Sequence, residues 1–186
     1  PQNDYYVELD FNAAELRTLL ALQGKEQPQE DMHMWNINNI FGGEVSRADA
    51  KKRIFAWLYN PSSHDSACER FYNRESILNE YYNAETVTTI FGKEIKSEER
   101  TALNYIIQST CAENVLRQMV KVSNCLKGKK SYIAFPIHDS IVIDFSTEDG
   151  ALLKDIIDIF ATTDLGKFMV NVSAGTNFGQ LKKVGV

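Results

Sequence analysis

Val7-Glu8-Leu9-Asp10-Phe11 decides the fold. Tyr5 to Phe11 alternates apolar and polar residues at a period of two, the mark of a half-buried strand. A second apolar region reads as a hairpin, Tyr132 to Phe135 and Ile141 to Phe145, with Ile137-His138-Asp139-Ser140 at its tip. Each aspartate therefore ends or turns a short β-like run, and a cationic helix lies between them in sequence. Two carboxylates brought together by a sheet can hold two Mg²⁺ ions, and such a pair can drive an in-line phosphoryl transfer. Taken singly, an aspartate at a strand end or turn is more often only a turn former.

The chain has 186 residues, enough for one domain or one domain with an inserted lobe. A hydrophobic fraction of 44% allows a core of useful size. The net charge of −5 gives nucleic-acid binding no support, but binding follows local patches rather than the sum. Basic patches occur at Lys51-Lys52-Arg53 and Lys127-Gly128-Lys129-Lys130. Cys68, Cys111 and Cys125 are odd in number and lack a C-x-x-C spacing, so they read as free thiols. No run is long enough for a membrane span, and no targeting signal is visible. The expectation is a cytoplasmic protein with no membrane partner. The chain opens without Met directly before a strand, as part of a longer polypeptide would.

Between the aspartates the pattern is helical. Asn12 and Glu15 read as a capping box before Leu16, Leu19 and Leu20, and Gly24 stops that helix. Asp31 to Phe41 reads as a helix ended by Gly42-Gly43. Ser46 opens another, with Asp49 three residues on, which runs to Tyr59 and stops at Asn60-Pro61. Residues 62–84 read as short helices, and 85–95 as extended. Ser97 is expected to cap a long helix reaching about Val122. Residues 148–161 form an amphipathic helix, and Phe168 to Ala174 a last strand before a short tail.

Arg47, Lys51, Phe55 and Tyr59 recur every four residues and share one helical face. The cations occupy the N-terminal half, where the helix dipole also favours anions. A triphosphate along this face would meet Arg47 and Lys51, with its sugar and base on Phe55 and Tyr59. The alternative is an ordinary amphipathic helix with solvated cations and buried aromatics.

These stretches resemble the family A DNA polymerases. Asp10-Phe11-Asn12-Ala13-Ala14-Glu15-Leu16-Arg17 is similar to motif A, Arg47-x₃-Lys51-x₃-Phe55-x₃-Tyr59 to the fingers helix of motif B, and Ile137-His138-Asp139-Ser140 to motif C. Asp31-Met32-His33 with Ile40-Phe41-Gly42 resembles the segment before the fingers helix. Glu99-Arg100-x₃-Asn104-x₃-Gln108-x-Thr110-x-Ala112 resembles the palm helix that touches DNA. The matches keep the family's order and cover about Tyr5 to Leu181.

The resemblance implies an α+β fold: an antiparallel palm sheet with packed helices and an inserted small helical fingers lobe. The palm would comprise 1–27 and 96–186, and the reduced fingers 28–95, with motif B at 46–59. Asp10, Asp139 and the Phe11 carbonyl would hold two Mg²⁺ ions. Arg47, Lys51 and His33 would grip the triphosphate, with Lys51 protonating the departing pyrophosphate. Phe55 and Tyr59 would face sugar and base, and Glu15, paired with Tyr59, would block a ribose 2′-hydroxyl. Arg100, Asn104, Gln108 and His138 would contact primer–template DNA. The implied activity is template-directed DNA synthesis from dNTPs, in a bacterial or phage-infected cell. An upstream thumb and exonuclease portion, or a separate chain, would complete the enzyme.

Some positions depart from the family pattern. Ser140 stands where the family usually has Glu, and Ala56 and Asn60 where it commonly has Gly. Two other functions are compatible with the carboxylate pair: a catalytically silent nucleic-acid-binding remnant, and another two-metal enzyme such as a nuclease. A nuclease has no triphosphate to hold, and so no need of the Arg47–Tyr59 stripe.

Overall fold

The computed structural model describes Pro1–Gly185. In chain order the elements are β1 (Tyr5–Phe11), α1 (Ala14–Leu22), α2 (Met32–Asn39), α3 (Arg47–Tyr59), α4 (Ser66–Tyr72) and α5 (Arg74–Tyr81). Next come β2 (Tyr82–Asn83), β3 (Thr86–Thr88), β4 (Glu94–Lys96) and α6 (Glu99–Cys125). The remainder is β5 (Tyr132–Ile137), β6 (Ser140–Phe145), α7 (Leu153–Ala161), β7 (Thr162–Thr163), β8 (Gly166–Lys167), β9 (Val170–Gly175) and β10 (Lys182–Lys183). The fold is α+β with antiparallel sheets. The described residues pack as two compact units, 1–14 with 112–185, and Glu15–Cys111.

The first unit is built on a five-stranded sheet of order β10-β9-β1-β6-β5. β1 is its central strand, flanked by β6 and β9. Its alternation sorts side chains by face. Val7, Leu9 and Phe11 are buried, while Glu8 and Asp10 are only half-buried. The Phe11 ring stacks on Phe160 of α7 at 4.3 Å between centroids and meets Phe168 edge-on at 5.2 Å. Full burial of a ring of this size contributes about 1.5–3 kcal/mol. β6 is buried along its whole length, as expected of a strand covered on both faces. On α6, one side-chain amide, Nε2 of Gln118, donates to the Ile159, Phe160 and Thr162 carbonyls at the end of α7. These otherwise orphaned groups are thereby satisfied.

The second unit is helical, with a small β2-β3-β4 sheet. Its core includes Leu16, Leu19, Leu20, Met32, Ile54, Trp57, Tyr72 and Ile107. Arg17 is fully buried there and donates to the Pro28 and Glu30 carbonyls at 2.6 and 2.8 Å. It clamps the loop between α1 and α2. Burial brings its guanidinium down to about 10.

Several sequence expectations shift. Ala13, in the left-handed region at φ 51°, separates Asn12 from α1, so the cap expected at Asn12 is displaced. α6 begins at Glu99, and Ser97 lies two residues ahead of it. The Ser97 hydroxyl bonds the Glu98 carbonyl and approaches the Thr101 hydroxyl. That helix also continues three residues past Val122, to Cys125. The hairpin tip is only His138-Asp139, because β5 and β6 pair out to Ile137 and Ser140. The helix expected over 148–161 opens as a 3₁₀ turn, Thr147–Leu152. The tail expected after Ala174 carries β10, paired with β9.

Candidate active site

Asp10 lies near the end of β1, paired in register with Ser140 on one side and Asn171 on the other. Asp139 precedes Ser140 in the hairpin tip, and its carbonyl accepts the Phe11 N–H at 3.3 Å. The sheet thus brings the two aspartates to one corner. The Asp10 carboxyl is pushed up to about 6, chiefly by burial, and the Asp139 and Glu8 charges add to this. The Asn171 amide, which donates at 3.2 Å, and Lys183 oppose it. A carboxylate in this position gains from any cation brought to it.

Two groups here, Glu8 and Asn171, escaped the sequence reading. Glu8 shares the Asp10 face by simple alternation, a signal that was available. The Ser140 hydroxyl, standing where a carboxylate was expected, reaches the Glu8 carboxylate at 3.0 Å and the Ile137 carbonyl at 3.0 Å. Asn171 had no local signal, since only strand register places it beside Asp10. His138 sits exposed at the tip with φ 50°, a conformation few non-glycine residues adopt. Held strain of this kind clusters at functional turns.

The other group of candidate residues lies in the second unit. Ser46 caps α3, its hydroxyl oxygen accepting the Asp49 N–H and its proton going to the Asp49 carboxylate. The buried face of α3 is Ala50, Ile54, Trp57 and Leu58. Arg47, Lys51 and Tyr59 are exposed and Phe55 is half-buried, so this aromatic pair does not belong to the core. The Phe55 and Tyr59 rings stack at 5.9 Å with 7° between planes, and the Lys51 ammonium is 5.8 Å from the Phe55 centroid. Arg47 pairs with Asp31, the cap of α2, at 3.1 Å.

His33 is buried, 6.3 Å from Phe55 between ring centroids. Burial first, then the Arg47 and Lys51 charges, lower its pKa against an opposing pull from Asp31. The imidazole is therefore neutral at pH 7. Among the described residues its buried Nδ1 finds no hydrogen-bond partner, an orphan that a ligand oxygen could satisfy.

Glu15 and Tyr59 meet through Gln108. The Gln108 Nε2 donates to Glu15 Oε1 at 2.5 Å and to the Tyr59 hydroxyl at 2.8 Å. Burial and the Glu15 carboxylate hydrogen-bonded to it push the Tyr59 phenol above its ordinary range, while Gln108 pulls the other way. Gln108, Asn104 and Arg100 are exposed along α6, and Arg100 pairs with Glu98 at 2.8 Å. A cavity of about 330 Å³ is lined by Tyr59, Arg74, Arg100 and Asn104 among others.

Among the described residues, no group of three or more His, Cys, Asp or Glu side chains is arranged to hold a metal ion. Two hard carboxylates suit Mg²⁺ nevertheless, because this ion usually takes one or two protein carboxylates and completes its shell with substrate phosphates and water.

No family model matches the chain. Among curated proteins, DNA polymerase I of Chloroflexus aurantiacus is 24% identical over 95% of this chain and 24% of its own length. DNA polymerase I of Borreliella burgdorferi is 26% identical over 97% of this chain and 26% of its own. The thermostable DNA polymerase I of Thermus filiformis is 24% identical over 94% and 27%. Among solved structures, the POL domain of Pol1 from M. smegmatis, in complex with DNA primer-template and dNTP, superposes with a TM-score of 0.74 at 18% identity. The match covers 93% of this chain and 40% of that one. The chain spans about a quarter of the length of the curated relatives it matches. By sequence and by fold, it resembles part of a family A, DNA polymerase I-like polymerase.

Proposed function

We propose that this chain is the palm and fingers portion of a template-directed DNA polymerase, which transfers a nucleotidyl group from a dNTP to a primer 3′-hydroxyl. The palm would comprise 1–27 and 96–186, and the fingers 28–95. The observation that carries the reading is the α3 face. Two exposed cations are followed by a stacked aromatic pair outside the core, and these suit a triphosphate followed by a sugar and base. A two-metal nuclease would have no use for such a face.

In this reading Asp10, Asp139 and the Phe11 carbonyl would hold two Mg²⁺ ions. Bound there, the metal would neutralise triphosphate charge and favour ionisation of the primer hydroxyl. Arg47 and Lys51 bind the phosphates, and Arg47 must first exchange its Asp31 partner for them. That exchange is inexpensive, because an exposed ion pair contributes only about 0–1 kcal/mol. Neutral His33 donates one hydrogen bond to a phosphate oxygen. Lys51 gives a proton to the departing pyrophosphate, while Phe55 and Tyr59 carry sugar and base. Glu15 excludes a 2′-hydroxyl, and Arg100, Asn104, Gln108 and His138 hold the primer–template.

Primer extension with Mg²⁺, by the longest natural polypeptide containing this chain, tests the assignment. Asp139→Asn should lower incorporation by at least a hundredfold with the melting temperature nearly unchanged. Incorporation that survives both Asp10→Asn and Asp139→Asn would remove the two aspartates from the mechanism.

A further inference from the structure

The Gln108 amide is already fully committed. A glutamine side chain has two N–H donors and one carbonyl acceptor. Both donors are spent here, one on Glu15 Oε1 at 2.5 Å and one on the Tyr59 hydroxyl at 2.8 Å. The three residues come from α1, α3 and α6, and the Tyr59 hydroxyl is itself hydrogen-bonded to Glu15. Yet Gln108 is exposed and lies one helical turn from Asn104 and two from Arg100, on the α6 face assigned above to DNA.

A duplex minor groove offers an acceptor at each base pair, purine N3 or pyrimidine O2, and a donor only at the guanine 2-amino group. An amide that donates into that groove must supply an N–H. Gln108 can do so only by releasing Glu15 or Tyr59. At these acceptors its carbonyl oxygen cannot substitute; only the guanine 2-amino group of a G·C pair could meet it.

We infer that Gln108 is a specificity-determining residue that exchanges its amide between the Glu15–Tyr59 pair and the minor-groove edge of a seated primer–template, so that sugar selection depends on duplex seating. This rests on the polymerase reading. When the duplex takes the amide, Glu15 loses a neutral donor and is oriented by Tyr59. With the duplex absent or misplaced, Gln108 shares the hold on the Glu15 carboxylate, draws it from that orientation, and the gate is slack. No covalent step is involved.

The test uses the longest natural polypeptide, on primer–templates in which single purines near the primer end are replaced by their 3-deaza analogues. These lack the groove acceptor but keep Watson–Crick pairing. The unmutated protein should show a ribonucleotide-to-deoxynucleotide incorporation ratio that rises about three- to tenfold at one such position, the worth of one neutral hydrogen bond. Gln108→Ala should show a ratio that no longer responds to the analogue. A second readout needs no turnover. Glu15→Ala frees one Gln108 donor and should tighten primer–template binding a few-fold, and this gain should vanish in the double variant with Gln108→Ala. If the polypeptide extends primers but its ratio is blind to every 3-deaza position, the inference is overturned and the polymerase reading stands. If it extends no primer at all, both fall.

Discussion

Asp10 is held where its own charge is disfavoured. Its carboxyl titrates near 6 in the folded chain against about 3.9 when unfolded, mainly through burial. The folded state therefore binds the proton more tightly. Without metal, the stability this confers is fully present below pH 4 and is lost as pH rises through 6. Asp10→Asn should consequently stabilise the metal-free protein at pH 7.5, by about 1 kcal/mol after allowing for solvent screening of a partly exposed group. The gain should fade towards pH 4. Urea titrations of both proteins with chelator at the two pH values check the sign. A loss of stability at pH 7.5 would mean that Asp10 serves the sheet rather than a cation. At this scale the sequence was legible where chemistry is local. The aspartates and the four-residue stripe stand out by residue type and spacing. Asn171 did not, since its place beside Asp10 depends on the register of two strands far apart in sequence. The hydrogen bonds of Gln108 were hidden for the same reason: nothing local to α6 announces Glu15 or Tyr59.

Among the elements, α3 is the best specified by its own sequence. Ser46 accepts the Asp49 N–H of the first turn and gives its hydroxyl proton to the Asp49 carboxylate, and the apolar face of the helix recurs at helical spacing. Ser46→Ala should cost about 1 kcal/mol and shift the chemical-denaturation midpoint accordingly. Addition of dNTP with Mg²⁺ should recover part of the loss, because ligand binding favours the folded form. An unchanged midpoint would show that packing of Trp57 and Ile54 alone fixes the helix. Where local signals were diluted, the boundaries moved. Ser97 was expected to cap α6, but its hydroxyl bonds the Glu98 carbonyl and approaches the Thr101 hydroxyl ahead of the helix. Two-residue strands such as β7, β8 and β10 are too short to show any periodicity, so only their partners reveal them.

For the whole molecule, charge would set the terms of the DNA binding proposed above. The net charge is −5, and many of its exposed cations already face its own carboxylates: Arg47 with Asp31, Arg53 with Asp65, Arg100 with Glu98, and Arg117 and Lys121 with Asp164. Few counterions can be released from a duplex by such a surface. The 186-residue chain by itself should therefore bind primer–template weakly, with a dissociation constant above about 1 μM near 150 mM salt, measurable by fluorescence anisotropy. Nanomolar binding would contradict this, and a steep loss of that affinity with added salt would point to more phosphate contacts than these residues provide. The order of sheet and helices was legible because the long periodic segments are locally consistent. The pairing order β10-β9-β1-β6-β5 was not, since it is written in contacts distant in sequence.

The two outer strands of that sheet are β5 and β10. An open strand edge is a template for aggregation, since its free amides can recruit a strand from another copy. β5 carries Pro136, which lacks an amide hydrogen, and its ladder slips between Ile133 and Phe135. β10 is only Lys182-Lys183, two like charges on a very short strand. Both rims are thus poor seeds for fibril growth, and the sheet can keep an aspartate-bearing central strand without inviting its neighbours to zip on.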